Sequence, residues 1–199
     1  MEIDQVRTAV LSHFGIPRTG SGFDTTRFDS ASVTFLGLEP IEILRIPDTD
    51  FVHYVTFGGS RHPMTDSAAA LADPVRGPRA ELVLTLRGGA GVQAGIPRGL
   101  GVLIAAPAVE GVVLQEDALL DLGEPLWRNA PFTAVLLGPA DIAEVPLPDP
   151  ADPVQFFAVA PITATEAAWV RVRGASALRE AWSEAGIDVR DPHRSAANL

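Results

Sequence analysis

The hydrophobic and polar positions alternate in two different rhythms along this chain. In the first segment Ile3, Val6, Val10 and Phe14 recur on one face of a 3.6-residue spiral, and Gly15 stands where such a helix would stop. A loop rich in Gly, Thr and Ser follows over 17–29. Runs of β-branched and aromatic residues then predict strands at 33–38, 41–46 and 51–57, separated by Glu39-Pro40 and by Pro47-Asp48-Thr49-Asp50. Gly58-Gly59-Ser60 closes the third run. A chain that turns so abruptly after an apolar strand predicts a positive φ at Gly58 or Gly59. After a weakly patterned stretch over 62–78, residues 79–86 predict a fourth strand, almost wholly apolar apart from Glu81 and Thr85. Residues 100–106 read as a short buried helix, with Pro97, Gly99 and Gly101 arguing against a regular helix around them. Further strands are predicted at 132–137 and 154–162. Thr163-Ala164-Thr165-Glu166 has the spacing of a capping box, so a helix should run on through Trp169 and Val170. A second helical stretch over 176–185 would end at Gly186.

Consecutive strands with helices at both ends favour an α+β fold, a mainly antiparallel sheet flanked by helices, over a doubly wound sheet. No internal repeat or low-complexity linker divides the chain, and 1–199 is read as one domain. With Gly 18 and Pro 17 in 199 residues, the elements must be short and the turns many. The most apolar stretch, 100–114, is interrupted by Gly101, Pro107, Glu110 and Gly111 and is shorter than the ~20 residues a membrane span needs, so no membrane partner is expected. Glu2 and Asp4 stand where a secretory signal would carry positive charge. With no cysteine to form a disulfide, a cytoplasmic location is the expectation.

All 15 basic residues are arginines. The absence of lysine excludes Schiff-base chemistry, lysine-held pyridoxal phosphate and lysine-bearing phosphate loops; the absence of cysteine excludes thiol nucleophiles and thiolate zinc sites. The formal charge of −10 is unevenly placed: between Glu110 and Asp152 nine acids face one base, Arg128, so that segment carries −8 of it. Such a surface repels nucleic acid and steers a basic partner towards itself. Glu116, Asp117, Asp121 and Glu124 are the candidate partner-binding residues. The bland alternative is a set of solvated loops that keep the protein soluble.

The candidate chemistries are each incomplete. Residues 89–94, Gly-Ala-Gly-Val-Gln-Ala, follow a strand as a dinucleotide fingerprint would, but Pro97, Gly99 and Gly101 oppose the helix that must follow, and no β-α-β run surrounds them. Asp48, Asp50, His53 and His62 lack any metal-ligand spacing, and acids after Pro47 are ordinary turn formers. Ser60 and His62 are too close in sequence to make a nucleophile–base contact. Glu81 and Glu166 could pair as acid and base, yet Glu166 already has a capping role and Glu81 can simply face solvent or meet an arginine. No catalytic residue, metal or cofactor is therefore assigned. The competing reading is an enzyme or small-ligand binder with a site near His53, His62 and Glu81.

Four segments, taken in order, resemble the suppressor-of-fused (SUFU) domain family, in the form of a bacterial single-domain member. Residues 54–60, Tyr-Val-Thr-Phe-Gly-Gly-Ser, look like the family's strand ending in a Thr-x-Gly turn. Residues 79–84 are similar to its Arg-x-Glu-Leu strand. Residues 159–166 are similar to its Pro-[Leu/Ile]-Thr-x-x-Glu helix start, and 191–194 to a terminal Asp-Pro-x-Arg. The resemblance spans about Leu44 to Arg194. It implies an α+β fold without catalytic activity that binds another protein. In the best-known animal member a transcription-factor peptide is clamped between this domain and a second one. That second domain is not expected here, so the transcription-factor role is not carried over. Bacterial members look like immunity or accessory proteins of toxin systems, which makes a toxin the implied partner.

Overall fold

The structure is a computed structural model that describes residues 2–20, 22–68, 73–88 and 95–199. Residues 89–94, with their fingerprint-like glycines, lie outside the described residues. The chain opens with α1 (Glu2–His13), which Gly15 ends at φ 65°, and a small hairpin of β1 (Arg18–Thr19) and β2 (Gly22–Phe23). There follow β3 (Asp29–Val33), β4 (Ile41–Pro47), β5 (Phe51–Phe57), β6 (Arg79–Arg87) and α2 (Ile96–Glu110). The second half holds β7 (Leu119–Asp121), β8 (Phe132–Pro139), β9 (Val154–Thr163), α3 (Ala164–Arg173) and α4 (Ala175–Glu184).

Seven strands form one sheet in the order β3-β4-β5-β6-β9-β8-β7, antiparallel at every junction except β6–β9, which is parallel. This is the α+β class that the strand pattern predicts. The period-two alternation distributes the core to both faces. On one face Leu82, Leu84 and Leu86 of β6, Tyr54 of β5 and Leu137 of β8 pack under Leu100, Leu103 and Ile104 of α2. Full burial of each such leucine contributes about 1.5–3 kcal/mol. On the other face Leu44, Val55, Phe57 and Val83 meet Val6, Val10 and Leu11 of α1, while Leu136 and Ile162 meet Ala167, Leu178 and Trp182 of α3 and α4. Among the described residues no helix is long and apolar enough to cross a membrane.

Three elements differ from the pattern-based expectation. The strand expected at 33–38 lies upstream, at Asp29–Val33, because Gly37 takes φ 83° in a turn that leads into β4; Leu36 is left fully exposed. As an outer strand, β3 carries the polar run Asp-Ser-Ala-Ser, which has no hydrophobic alternation to read. The short β7 at the opposite edge, Leu119–Asp121, is only three residues long and shows no period to read. The helix expected at 100–106 instead runs Ile96–Glu110. Pro97 sits in its first turn, where no N–H is required. Its glycines are explained by packing: a Cβ on Gly99 would lie 2.4 Å from the Leu126 carbonyl oxygen.

Candidate functional site

The motif residues gather into two buried clusters, each centred on a carboxylate. At the first, β5 pairs with β6 as far as Val55–Val83. Beyond that point Thr56 turns its Oγ1 into the gap, accepting from the Leu82 N–H at 2.9 Å and donating to Glu81 Oε2 at 2.6 Å. Glu81 Oε1 accepts from the Gly58 N–H at 2.8 Å, the Ser60 N–H at 3.0 Å and Ser60 Oγ at 2.6 Å. Arg79, two residues earlier, takes two carbonyls of the same turn and one from the segment before β6: Nη1 donates to Ser60 O at 2.8 Å and Arg61 O at 2.6 Å, and Nη2 to Val75 O at 3.0 Å. Gly58 adopts φ 133°, as the turn demands, and a Cβ on Gly59 would lie 2.3 Å from Ile104 Cγ1. Glu81 neither faces solvent nor pairs with an arginine; it is completely buried, and burial pushes its carboxyl above the ordinary range against the pull of its Ser60 and Thr56 hydrogen bonds.

The second cluster is built on the capping box. Thr163 Oγ1 accepts from the Glu166 N–H, and Glu166 Oε2 accepts from the Thr163 N–H at 2.9 Å. The same carboxylate receives Arg194 through two nitrogens (2.8 and 3.0 Å), Trp182 Nε1 at 2.9 Å and the Ala197 N–H at 3.1 Å. Arg194 also donates to Pro161 O at 2.8 Å. Burial would raise this carboxyl too, but Arg194, Thr163 and Trp182 outweigh it and hold Glu166 below the ordinary range. The acid–base pairing of Glu81 with Glu166 is not formed, since each carboxylate is occupied by its own cluster.

The residues of the competing reading are dispersed. His53 lies on β5, its Nδ1 3.0 Å from Thr85 Oγ1 on the neighbouring strand. His62 is exposed on the loop after the turn, 3.3 Å from Glu39 Oε2. Glu81 lies under that turn and reaches neither. A single site of His53, His62 and Glu81 is thus not assembled, because β5 and the turn present them to different surroundings. Asp48 accepts from the Thr49 N–H in the turn between β4 and β5. Among the described residues no group of three or more His, Asp or Glu could hold a metal.

The four acids singled out, Glu116, Asp117, Asp121 and Glu124, lie along β7 and its flanks, and the fold supplies three of them with distant arginines. Asp117 pairs with Arg179 of α4, Asp121 with Arg171 of α3 at 2.6 Å, and Glu124 with Arg98 of α2 at 2.7 Å. Arg171 and the Gly123 N–H hold Asp121 below the ordinary carboxylate range. Glu116 is exposed and pairs with none of them. Nothing in the local sequence pointed to these three arginines, which lie 26 to 62 residues away.

Two of the clefts formed by the described residues are large enough to take a small molecule. One, of about 640 Å³, runs beside the C-terminal half of α2 and is lined by Leu38, His62, Met64, Ile104 and Pro107. The other, of about 500 Å³, lies on the opposite face of the sheet, where the cover by α1 stops short of α4; His53, Gly138, Ala158 and Trp182 line it.

These features define an α+β domain with one mixed seven-stranded sheet, whose buried carboxylates hold a turn and a helix start. The family model for suppressor of fused protein (SUFU) matches residues 37–195, and the chain belongs to that family. Among solved structures it is similar to a protein described as a SUFU homologue from Neisseria gonorrhoeae, at 16% identity over 98% of this chain and 96% of that one, with a TM-score of 0.66. A chain of the Sufu–Fu complex matches at 13% identity over 98% of this chain and 89% of that one, with a TM-score of 0.62. Drosophila Suppressor of Fused matches at 14% identity and a TM-score of 0.55, over 80% of this chain but 43% of its own. Comparison with curated protein sequences finds no match.

Proposed function

We propose that the chain is a non-catalytic protein-interaction domain whose partner is a basic protein, docked on the acidic segment through Glu116, Asp117, Asp121 and Glu124. The observation that carries this reading is the charge of that segment: nine acids between Glu110 and Asp152 outnumber Arg128 and the three arginines that reach them from α2, α3 and α4. Exposed pairs of this kind contribute little, about 0–1 kcal/mol each, so a partner's lysines or arginines can replace them at small cost. Family membership supports a binding role, and one similar solved structure is a chain of the Sufu–Fu complex. The finer reading is an immunity protein in the cytoplasm that covers a toxin.

The test begins with affinity capture from the source cell and proceeds to association kinetics. A basic partner should associate more slowly as salt rises, since screening acts over about 8 Å at physiological ionic strength, with little change in dissociation. Glu116→Gln isolates the charge, because Glu116 forms no ion pair among the described residues; Asp117→Asn with Asp121→Asn and Glu124→Gln should give the larger loss, with unfolding measured alongside. An acidic partner, or an on-rate indifferent to both salt and substitutions, rejects the acidic face. Co-expression that restores growth against the captured protein would support immunity; no protection would reject it.

A further inference from the structure

The cleft on the face shared by α1 and α4 has the build of a small-molecule site; it borders the acidic segment at Asp141 and, through Arg179, at Asp117, but includes none of Glu116, Asp121 and Glu124. Its floor crosses the central strands at small side chains: Gly138 on β8, and Ala158 and Ala160 on β9. Glycine in a strand weakens it and commonly marks a close approach by another group. A Cβ on Gly138 would meet only Arg179 Nη2, at 3.5 Å, so no packing demand of the protein explains the missing side chain. The volume of about 500 Å³ falls within the range typical of ligand sites.

The walls are aromatic. The His53 ring is 4.6 Å from that of Phe14 and tilted 37° to it, Phe51 lies 6.4 Å away, and Trp182 stands on the α4 side. Burial pushes the His53 imidazole below its ordinary pKa, with His13 adding to this and Asp48 opposing it, so near neutral pH His53 offers a flat uncharged surface. The rim is rich in donors. Arg179 gives one N–H each to Asp117 and to Leu137 O, and Arg190 binds Asp188 through Nε and Nη2, which leaves guanidinium N–H groups on both free for a further acceptor. Asp141 is the one carboxylate in the lining.

We infer that this cleft binds a small planar aromatic acid, its ring lying over the Gly138–Ala160 floor and its carboxylate held by Arg179 and Arg190. The whole chain is titrated with 2-naphthoate, followed by amide chemical shifts and Trp182 fluorescence, with naphthalene-2-carboxamide as the uncharged counterpart. The expected result is saturable binding below about 1 mM, with shifts confined to β5, β6, β8 and β9 around His53, Gly138 and Ala160. Gly138→Val should fill the floor and weaken both compounds about tenfold or more. Arg179→Gln should weaken the carboxylate several-fold and leave the carboxamide unchanged, a reading that holds even where the valine variant fails to fold. Absence of binding at about 1 mM, shifts centred on the other cleft, or equal effects of Arg179→Gln on both compounds would overturn the assignment.

Discussion

Glu81 and Glu166 are both fully buried and both hold several backbone and side-chain donors, yet they sit in opposite electrostatic settings. Glu166 faces the guanidinium of Arg194, and its ionised form is favoured. Glu81 is served only by hydroxyls and amides; the nearby Arg79 turns its nitrogens to carbonyls of the same turn instead. With no opposite charge to offset desolvation, its ionised form is disfavoured. The same residue type thus performs the same mechanical task, gathering chain segments, with and without a counter-charge. In this chain a buried carboxylate is accounted for by the segments it gathers.

The largest effect should come from Glu166→Gln. It sets an amide against donors and leaves Arg194 buried without its partner, which costs about 3–5 kcal/mol; the loss is read from urea unfolding. Limited proteolysis should then cut within 188–199, since Arg194 and the Ala197 N–H both anchor that segment. A cost near that of an exposed pair would mean that Arg194 is not held as described. Next comes Gly59→Ala, whose methyl must displace Ile104 and crowd the Ala80 carbonyl oxygen, for about 1–3 kcal/mol. Ile104→Ala removes both the Cγ1 and the Cδ1 that stand in the way, so Gly59→Ala should cost less in that background than in the native one, whereas simple additivity would count against the contact.

Glu81→Gln should cost somewhat less, about 1–2 kcal/mol, because Oε1 keeps its three donors and the amide can donate to Thr56 Oγ1, while the second amide N–H and the Thr56 hydroxyl proton lose their acceptor. Its pH behaviour separates the two clusters. The native chain binds a proton at Glu81 more tightly than the unfolded chain, so this residue's contribution falls as pH rises from the ordinary carboxylate value through the raised pKa. Glu166 behaves oppositely: its contribution is complete above the ordinary value and is lost as pH falls through its lowered pKa. The cost of Glu81→Gln should therefore shrink with rising pH, and that of Glu166→Gln should shrink with falling pH. Parallel curves for the two variants would erase the distinction. The smallest effect is expected for Thr163→Ala, about 1 kcal/mol, since Glu166 keeps Arg194 and Trp182 when the hydroxyl is gone.

How much of this was readable in the chain depends on the distance between partners. The capping box lies within four residues, and its spacing alone predicted both hydrogen bonds and the helix that follows. Gly58 was readable because an apolar strand stops there. Glu81 was not: its donors come from 21 to 25 residues upstream, and a lone Glu in an apolar strand carries no mark of them. Arg194 reaches Glu166 across 28 residues. The four short motifs that resemble the family prove to be two pairs, the Thr-x-Gly turn with Arg79 and Glu81, and the Thr163–Glu166 start with Arg194. α2 was read short because helix propensity counts against Gly99, whereas the close passage of Leu126 requires it. The acidic excess of 110–152 shows in the sequence by itself, but the arginines beside Asp117, Asp121 and Glu124 belong to three distant helices and do not.

The parallel junction in the sheet has a kinetic meaning. From β3 to β6 each strand pairs with its predecessor in the chain, and so it is from β7 to β9; both ladders can zip from local turns. Only β6 and β9 must find each other across α2 and the whole second ladder, aligning Arg79 with Val154. Closing that long loop is the entropically dearest contact in the sheet and is expected to form last. Both ladders end on strands that are edges until the seam closes, Leu82 and Leu84 on one, Phe157 and Val159 on the other. Before docking, each half-sheet exposes an apolar open edge of the kind that recruits a second chain. The refolding yield of this protein should accordingly fall as its concentration rises.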